Sequence, residues 1–374
     1  MKLDGQMDAI YVSLKWMETD GKTDGLIDLR SLQITPEFLR IIAEIDEFKG
    51  AWRAVGRVAP DRLTSLRRVA TIESIASSTR IEGATLSNRE VEQLLSNLTI
   101  APLSSRDEQD VVGYAEVIEM VSENSESMEF SENVIKQLHR DLLKYSTKDE
   151  CHRGEYKKVP SNIEAFSASG ESLGVVLATS SPFDTPREMA ELIEWIRANI
   201  EQGTFHPLIV VSVFKVVFLK IHPFQDGNGR LSRILVNWLL FRSGYTYLPF
   251  HSLESIVEQR KERYYRALHE TQVTIGTPRT NWTPWLQFFL GVLHTHKCQL
   301  ESKILEELQV IGSLPELSVQ IVEWVRTHGR ISVSEAAKIT GASRNTIKDH
   351  LRALVQSEVL VRHGAGRGTW YSLG

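Results

Sequence analysis

The segment that most constrains this chain is Ile221-His222-Pro223-Phe224-Gln225-Asp226-Gly227-Asn228-Gly229-Arg230-Leu231-Ser232-Arg233. An apolar stretch, Leu208 to Phe218, leads into His-Pro; a short turn with two glycines flanking Asn228 follows; a second apolar stretch, Leu231 to Phe241, begins at once. The pattern predicts helix, glycine-rich turn, helix. Such a turn presents backbone N–H groups without acceptors, together with the positive end of the second helix dipole, and so forms an anion site. Gly227 and Gly229 let the backbone approach the anion and take unusual φ values. Asp226 is a hard oxygen ligand suited to Mg²⁺ bridging phosphates. Arg230 and Arg233, three apart, share a helix face and can hold phosphate oxygens. His222 is the side chain here that can act as a base near neutral pH. Each element alone reads as ordinary structure. Base, acid, glycines and two arginines within twelve residues together read as a nucleotide site.

The 374 residues exceed one ordinary domain, and 42% hydrophobic with 24% charged residues is a globular composition that excludes wholesale disorder. A net charge of −5 argues against a surface coated for bulk nucleic-acid binding. Two cysteines, Cys151 and Cys298, in no CxxC pattern, argue against a disulfide scaffold or zinc ribbon and for a reducing cytoplasm. The opening MKLDGQMDAI lacks the apolar run of a signal peptide, and Leu208–Phe218 is too short to span a bilayer and reads as a buried helix, so no membrane partner is expected.

Helical spacing dominates. Residues 1–34 read as an arm. Pro60-Asp61 opens a helix carrying Leu63, Leu66, Val69, Ile72 and Ile75-Ala76 at helical intervals, with Gly83 as its stop; Ser87-Asn88-Arg89-Glu90 reads as a capping box for the next. Further helices are expected near 106–123, 131–144, 186–201, 207–220, 229–243, 252–272 and 282–308. Residues 151–184 lose the helical period and read as a loop with a β-hairpin. Gly312-Ser313-Leu314-Pro315 marks a boundary. Residues 313–374 carry eight Lys/Arg against five Asp/Glu, a basic tail of +3 on a body of −8.

The central segment resembles the Fic family signature, His-Pro-Phe-x-(Asp/Glu)-Gly-Asn-(Gly/Lys)-Arg, at every fixed position. Tyr264-Tyr265 with Leu268 resembles the later Tyr-Tyr segment of that family, and residues 154–177 stand where it has a target-binding hairpin, or flap. Lys215 stands where many relatives carry His, which is expected to affect only packing; Arg260 stands where many carry Asn, which leaves the adenosine end open. The resemblance implies a mainly α protein: a Fic-type helical core with a β-hairpin flap over 106–308, preceded by an arm and helices over 1–105. It implies transfer of AMP from ATP to a Ser, Thr or Tyr hydroxyl of a protein, this chain itself included. His222 would be the base, Asp226 the Mg²⁺ ligand, and Gly227, Asn228, Gly229, Arg230, Arg233 and Tyr265 the ATP-binding residues. AMP removal, or transfer of another phosphate-containing group, fits the same signature.

Ser78-Thr79-Arg80-Ile81-Glu82-Gly83 has a plain reading as a helix end. It also resembles the family's inhibitory motif, (Ser/Thr)-x-x-x-Glu-(Gly/Asn), in the class with the inhibitory helix N-terminal to the core, here about 61–83. The resemblance implies that Glu82 pairs with Arg233 and denies the γ-phosphate its place. A hydrogen bond to a charged group, about 1.5–3 kcal/mol, slows a reaction roughly 10- to 150-fold.

In the tail, residues 315–327, Ser334–Thr340 and a third helix capped by Ser343 precede two strands, Val359–Arg362 and Thr369–Tyr371. This order resembles a small C-terminal winged-helix domain over 313–374. Arg344, Asn345, Lys348 and Arg352 face outward, and Arg367 tips the wing; together they suit DNA. A protein-docking or homodimer-forming role is the other reading. The competing function is a DNA-binding transcriptional regulator with a sensory nucleotide site. An intact His222 favours the transferase, because a sensor needs no base.

Overall fold

The computed structural model describes residues 26–58, 60–97, 103–161, 163–166, 172–177, 179–277, 279–312, 315–357 and 359–373. The expected arm lies outside the described residues as far as residue 25. The larger body runs α1 (Pro36–Val58), α2 (Pro60–Ile81), α3 (Asn88–Ser96), α4 (Arg106–Asn124), α5 (Glu132–Leu142), β1 (Ile163–Phe166), β2 (Ser172–Leu177), α6 (Thr185–Gln202), α7 (Pro207–Ile221), α8 (Asn228–Arg242), α9 (Leu253–Gln259), α10 (Lys261–Gln272) and α11 (Thr283–Gly312). The protein is mainly helical, as its sequence pattern implied.

The apolar run 208–221 explains the architecture. A helix apolar all round must be buried all round, and α7 is: every residue from Leu208 to Leu219, and Ile221, is buried. Helices α6, α8, α10 and α11 pack around it. Trp285 of α11, fully buried, donates its indole N–H to the Ser212 carbonyl at 2.8 Å. The expected capping box forms at α3: Ser87 Oγ accepts the Glu90 N–H and the Glu90 carboxylate accepts the Ser87 N–H. Strands β1 and β2 pair antiparallel, Ile163 opposite Leu177 and Phe166 opposite Ser172, with two register shifts between.

Two expectations need correction. The helix expected over 252–272 breaks at Arg260, whose ψ of 27° ends α9 before α10 starts. Val69, which shares the helical spacing of α2, is 61% exposed, so the buried stripe passes it by.

After α11 come α12 (Glu316–His328), β3 (Ile331–Ser332), α13 (Val333–Thr340), α14 (Arg344–Gln356), β4 (Leu360–His363) and β5 (Trp370–Leu373). The strands form an antiparallel sheet of order β3-β5-β4. This segment has its own core of Ile321, Val325, Ile347, Leu351, Leu354 and Leu360, separate from the core of the larger body.

Burial also governs a titration. His296, fully buried, faces the His251 carbonyl with Nε2 at 2.8 Å, and burial pushes its pKa down to about 4; burial lowers neighbouring His251 too. Unfolding restores the ordinary value near 6.5. Below that pH the unfolded chain binds protons that the folded chain refuses, so this contribution is complete above about pH 6.5 and is lost as pH falls towards 4. His296 alone is expected to remove on the order of 2 kcal/mol at pH 5. Urea unfolding at pH 7.5 and pH 5 checks this: an unchanged midpoint would show that His296 titrates normally.

Candidate functional site

The site is built on the connection between α7 and α8. His222 caps α7 at φ 53°, ψ 61°, the one non-glycine residue at positive φ among the described residues; its N–H still donates to the Phe218 carbonyl at 2.9 Å. A left-handed conformation in such a residue costs about 1–3 kcal/mol and persists only where its surroundings enforce it. They do so here. The Asn228 amide closes on Phe224 from both sides, accepting its N–H at 3.0 Å and donating to its carbonyl at 2.8 Å. His139 of α5 lies flat on the buried Phe224 ring, with centroids 3.8 Å apart. Its Nδ1 accepts the Gly154 N–H at 2.8 Å, which leaves Nε2 to donate to the Asp226 carbonyl at 2.9 Å. Lys157 adds its backbone N–H to the Pro223 carbonyl and its ammonium to the Ile221 carbonyl, each at 2.9 Å.

Helix α8 starts where the turn requires it. Gly227, at φ 76°, is its N-cap. The N–H groups of the first helical turn have no intrahelical acceptor and, with the dipole, favour an anion. An anion is there: a Cβ on Gly229 would strike the Glu82 carboxylate, so only glycine lets that carboxylate so close.

The two motif arginines turn to different partners. Arg233, 2% exposed, pairs with Glu82 at 2.8 Å and donates to Ser78 Oγ and the Ser78 carbonyl, both at 2.8 Å. Burial opposes its charge, but the Glu82 carboxylate more than compensates and raises its pKa. Arg230, also buried, pairs with Asp110 of α4 and lies 3.6 Å from Asp226. Asp226 accepts from Arg106 at 2.9 Å. Burial opposes its ionisation, but Arg230, the Gly227 N–H and Arg106 hold its carboxyl below the usual range. Among the described residues no group of three or more His, Cys, Asp or Glu could hold a metal ion. The single carboxylate of Asp226 suits Mg²⁺, which needs one or two carboxylates when phosphates supply the rest.

His222 is held neutral. Burial, then the Lys157 charge, pushes its pKa down to about 4 against the opposing pull of Glu82 and Asp226. An unprotonated imidazole is the form a base needs. Tyr265 lies beside the Glu82 turn, its hydroxyl donating to the Ile81 carbonyl at 3.3 Å. The structure thus brings His222, Asp226, Gly227, Asn228, Gly229, Arg230, Arg233, Tyr265, Ser78 and Glu82 together. The buried side chain of Asn228 is engaged by the loop through Phe224, with its backbone N–H in the first turn of α8. Lys215 is buried with its amine above the Tyr264 and Trp285 rings, 5.2 and 5.6 Å from their centroids, and burial and Arg233 push its pKa down to about 7.

His139, Lys157, Arg106 and Asp110 do not emerge from the sequence reading. The one signal for His139 was its place on the apolar face of a helix. In the tail, Arg344, Asn345 and Lys348 are exposed on α14; Arg352 is exposed and paired with Asp349 at 3.1 Å. The side chain of Arg367 lies outside the described residues.

Residues 129–240 match the family model described as Fic/DOC family. A curated relative from Drosophila grimshawi, protein adenylyltransferase Fic, is 25% identical over 231 residues, 61% of this chain and 44% of the relative; the chain spans less than half the length of the curated relatives it matches. Among solved structures, a Fic family protein from Desulfovibrio desulfuricans G20 superposes with a TM-score of 0.60 at 23% identity, covering 92% of this chain and 98% of that one. A Fic domain containing signaling protein from Bacteroides thetaiotaomicron VPI-5482 superposes with a TM-score of 0.57 at 24% identity, covering 69% of this chain and 95% of that one. These two likenesses are of fold. The signature loop described above lies inside the stretch, residues 129–240, that matches the Fic/DOC family model.

Proposed function

We propose that this chain is an autoinhibited protein adenylyltransferase that moves AMP from ATP to a hydroxyl side chain of a protein. The observation that carries the reading is a neutral, strained His222 beside a helix N-terminus that accepts an anion. The names of the curated relatives support it. His222 takes the proton of the attacking hydroxyl; the hydroxyl oxygen bonds to the α-phosphorus; the α–β anhydride bond breaks and pyrophosphate leaves. The α8 N-terminus and Arg233 hold polyphosphate oxygens, which is the positioning and charge neutralisation that such transfer needs. Asp226 would hold Mg²⁺, which supplies charge neutralisation at the phosphates. The hairpin β1–β2, packed on α10, would receive the target by strand addition.

Glu82 is the brake. Its carboxylate occupies the turn at Gly229 and claims Arg233, so a γ-phosphate meets both a like charge and an engaged guanidinium. Arg233 keeps Ser78 without Glu82, so loss of the carboxylate leaves the guanidinium two of its partners.

The tail is read as a winged helix that binds DNA through α14, on the observation that Arg344, Asn345 and Lys348 stand exposed on one helix.

Three outcomes are expected. Glu82→Gly should raise AMP transfer, self-modification included, at least tenfold and change the melting temperature little; intact-mass spectrometry and a thermal melt measure both, and a large stability loss without gain in rate sinks the brake. In that background His222→Ala should cut transfer at least 100-fold and leave ATP binding nearly intact; wild-type turnover would reduce His222 to structure. Replacing Lys348 and Arg352 by alanine should flatten the salt dependence of DNA binding; a gel shift with no binding by the intact chain at low salt assigns the tail to protein docking.

A further inference from the structure

Lys157 touches both halves of the site. Its side chain is 3% exposed, and it lies at the foot of the flap. Its backbone N–H donates to the Pro223 carbonyl at 2.9 Å and its ammonium to the Ile221 carbonyl at 2.9 Å, so one residue grips the chain immediately before and immediately after His222. The same ammonium donates to Thr179 Oγ1 at 2.8 Å, and that hydroxyl lies 3.1 Å from the Ser161 carbonyl. Ser161 and Thr179 are the two feet of the hairpin: one precedes β1, the other follows β2. Downstream of Thr179, the Ser180 N–H reaches the Lys220 carbonyl.

We infer that Lys157 is a positioning residue that couples the flap to the catalytic histidine and holds His222 in its left-handed conformation. The inference rests on the transferase reading for the role of His222, while its geometry stands alone. A target strand added to β1–β2 pulls on the feet of the hairpin, and the ammonium bridging those feet to Ile221 passes that displacement to the residue next to the base.

The charge has its own effect. Beyond burial, the charges acting on the imidazole are Lys157, Glu82 and Asp226, with the Leu219 backbone also favouring protonation. Lys157 opposes protonation and both carboxylates favour it, so without the ammonium the pKa of His222 must rise. Lys157 is itself lowered to about 8, by burial against a small pull from Glu188, and so carries its charge at neutral pH.

The test uses the full chain carrying Glu82→Gly, with two further variants. Lys157→Gln keeps a donor for the Ile221 carbonyl but loses the charge; Lys157→Met loses both. The first readout is the NMR titration of the His222 imidazole, assigned by its disappearance in His222→Ala; it needs no activity. The parent should titrate below pH 5, and both variants at least half a pH unit higher. The second readout is the pH profile of AMP transfer: its acid-side fall should move up by the same amount, and Lys157→Met should lower kcat at least tenfold more than KM changes, with Lys157→Gln in between. A His222 midpoint unmoved in the folded Lys157→Gln variant overturns the inference, whatever the rates. A moved midpoint in a chain that transfers no AMP would uphold it and sink the transferase reading instead.

Discussion

A guanidinium sealed from water needs acceptors for its N–H groups and favours an anion beside it, and much of this structure follows from that at Arg233. The group is 2% exposed, on a helix whose first turn also favours negative charge. Ser78 of α2 and Glu82 just past its end meet the need, which ties the first third of the chain to the signature helix. The same preference would make the site receptive to a group that brings its own negative charge, as the polyphosphate of the proposed substrate does. In the proposed enzyme a carboxylate and a phosphate would compete for one buried cation.

The second constraint is the strained His222. Its conformation is enforced from four directions: the Asn228 amide within the loop, His139 from α5, Lys157 from the foot of the flap, and helix α7 behind it. In the proposed enzyme such a frame would pre-organise the base and leave little reorganisation for the reaction itself. Arg106 and Arg230 stand as cations beside the Asp226 carboxylate.

The sequence made one part of this legible and hid another, for physical reasons. Helix ends could be read because their signals are local: the Ser87–Glu90 box, Pro60, and the glycines of the turn. The pairing of Glu82 with Arg233 was implied by resemblance, and the geometry agrees with it. Residues that support the loop were not legible. His139, Lys157 and Arg106 come from 64 to 120 positions away, and nothing in their spacing points to Phe224, Ile221 or Asp226. The arginines show the limit of periodicity: three residues apart, they share a face, but neighbouring helices decide that one meets Asp110 on α4 and the other Glu82. Asn228 shows another limit, because its side-chain contacts with Phe224 are set by the loop's packing and not by the motif's spacing.

Glu82 lies one residue beyond the last residue of α2, in a turn, while the helix end itself is pinned by the paired contacts of Arg80 with Glu258, at 2.6 and 2.8 Å. If Glu82 is the latch of the proposed enzyme, the turn of Glu82 and Gly83 could unwind with α2 staying docked, and the latch would open by fraying. In the proposed enzyme the resting rate would then be a thermometer of that one turn, set by how often a few backbone hydrogen bonds break and not by the stability of the domain.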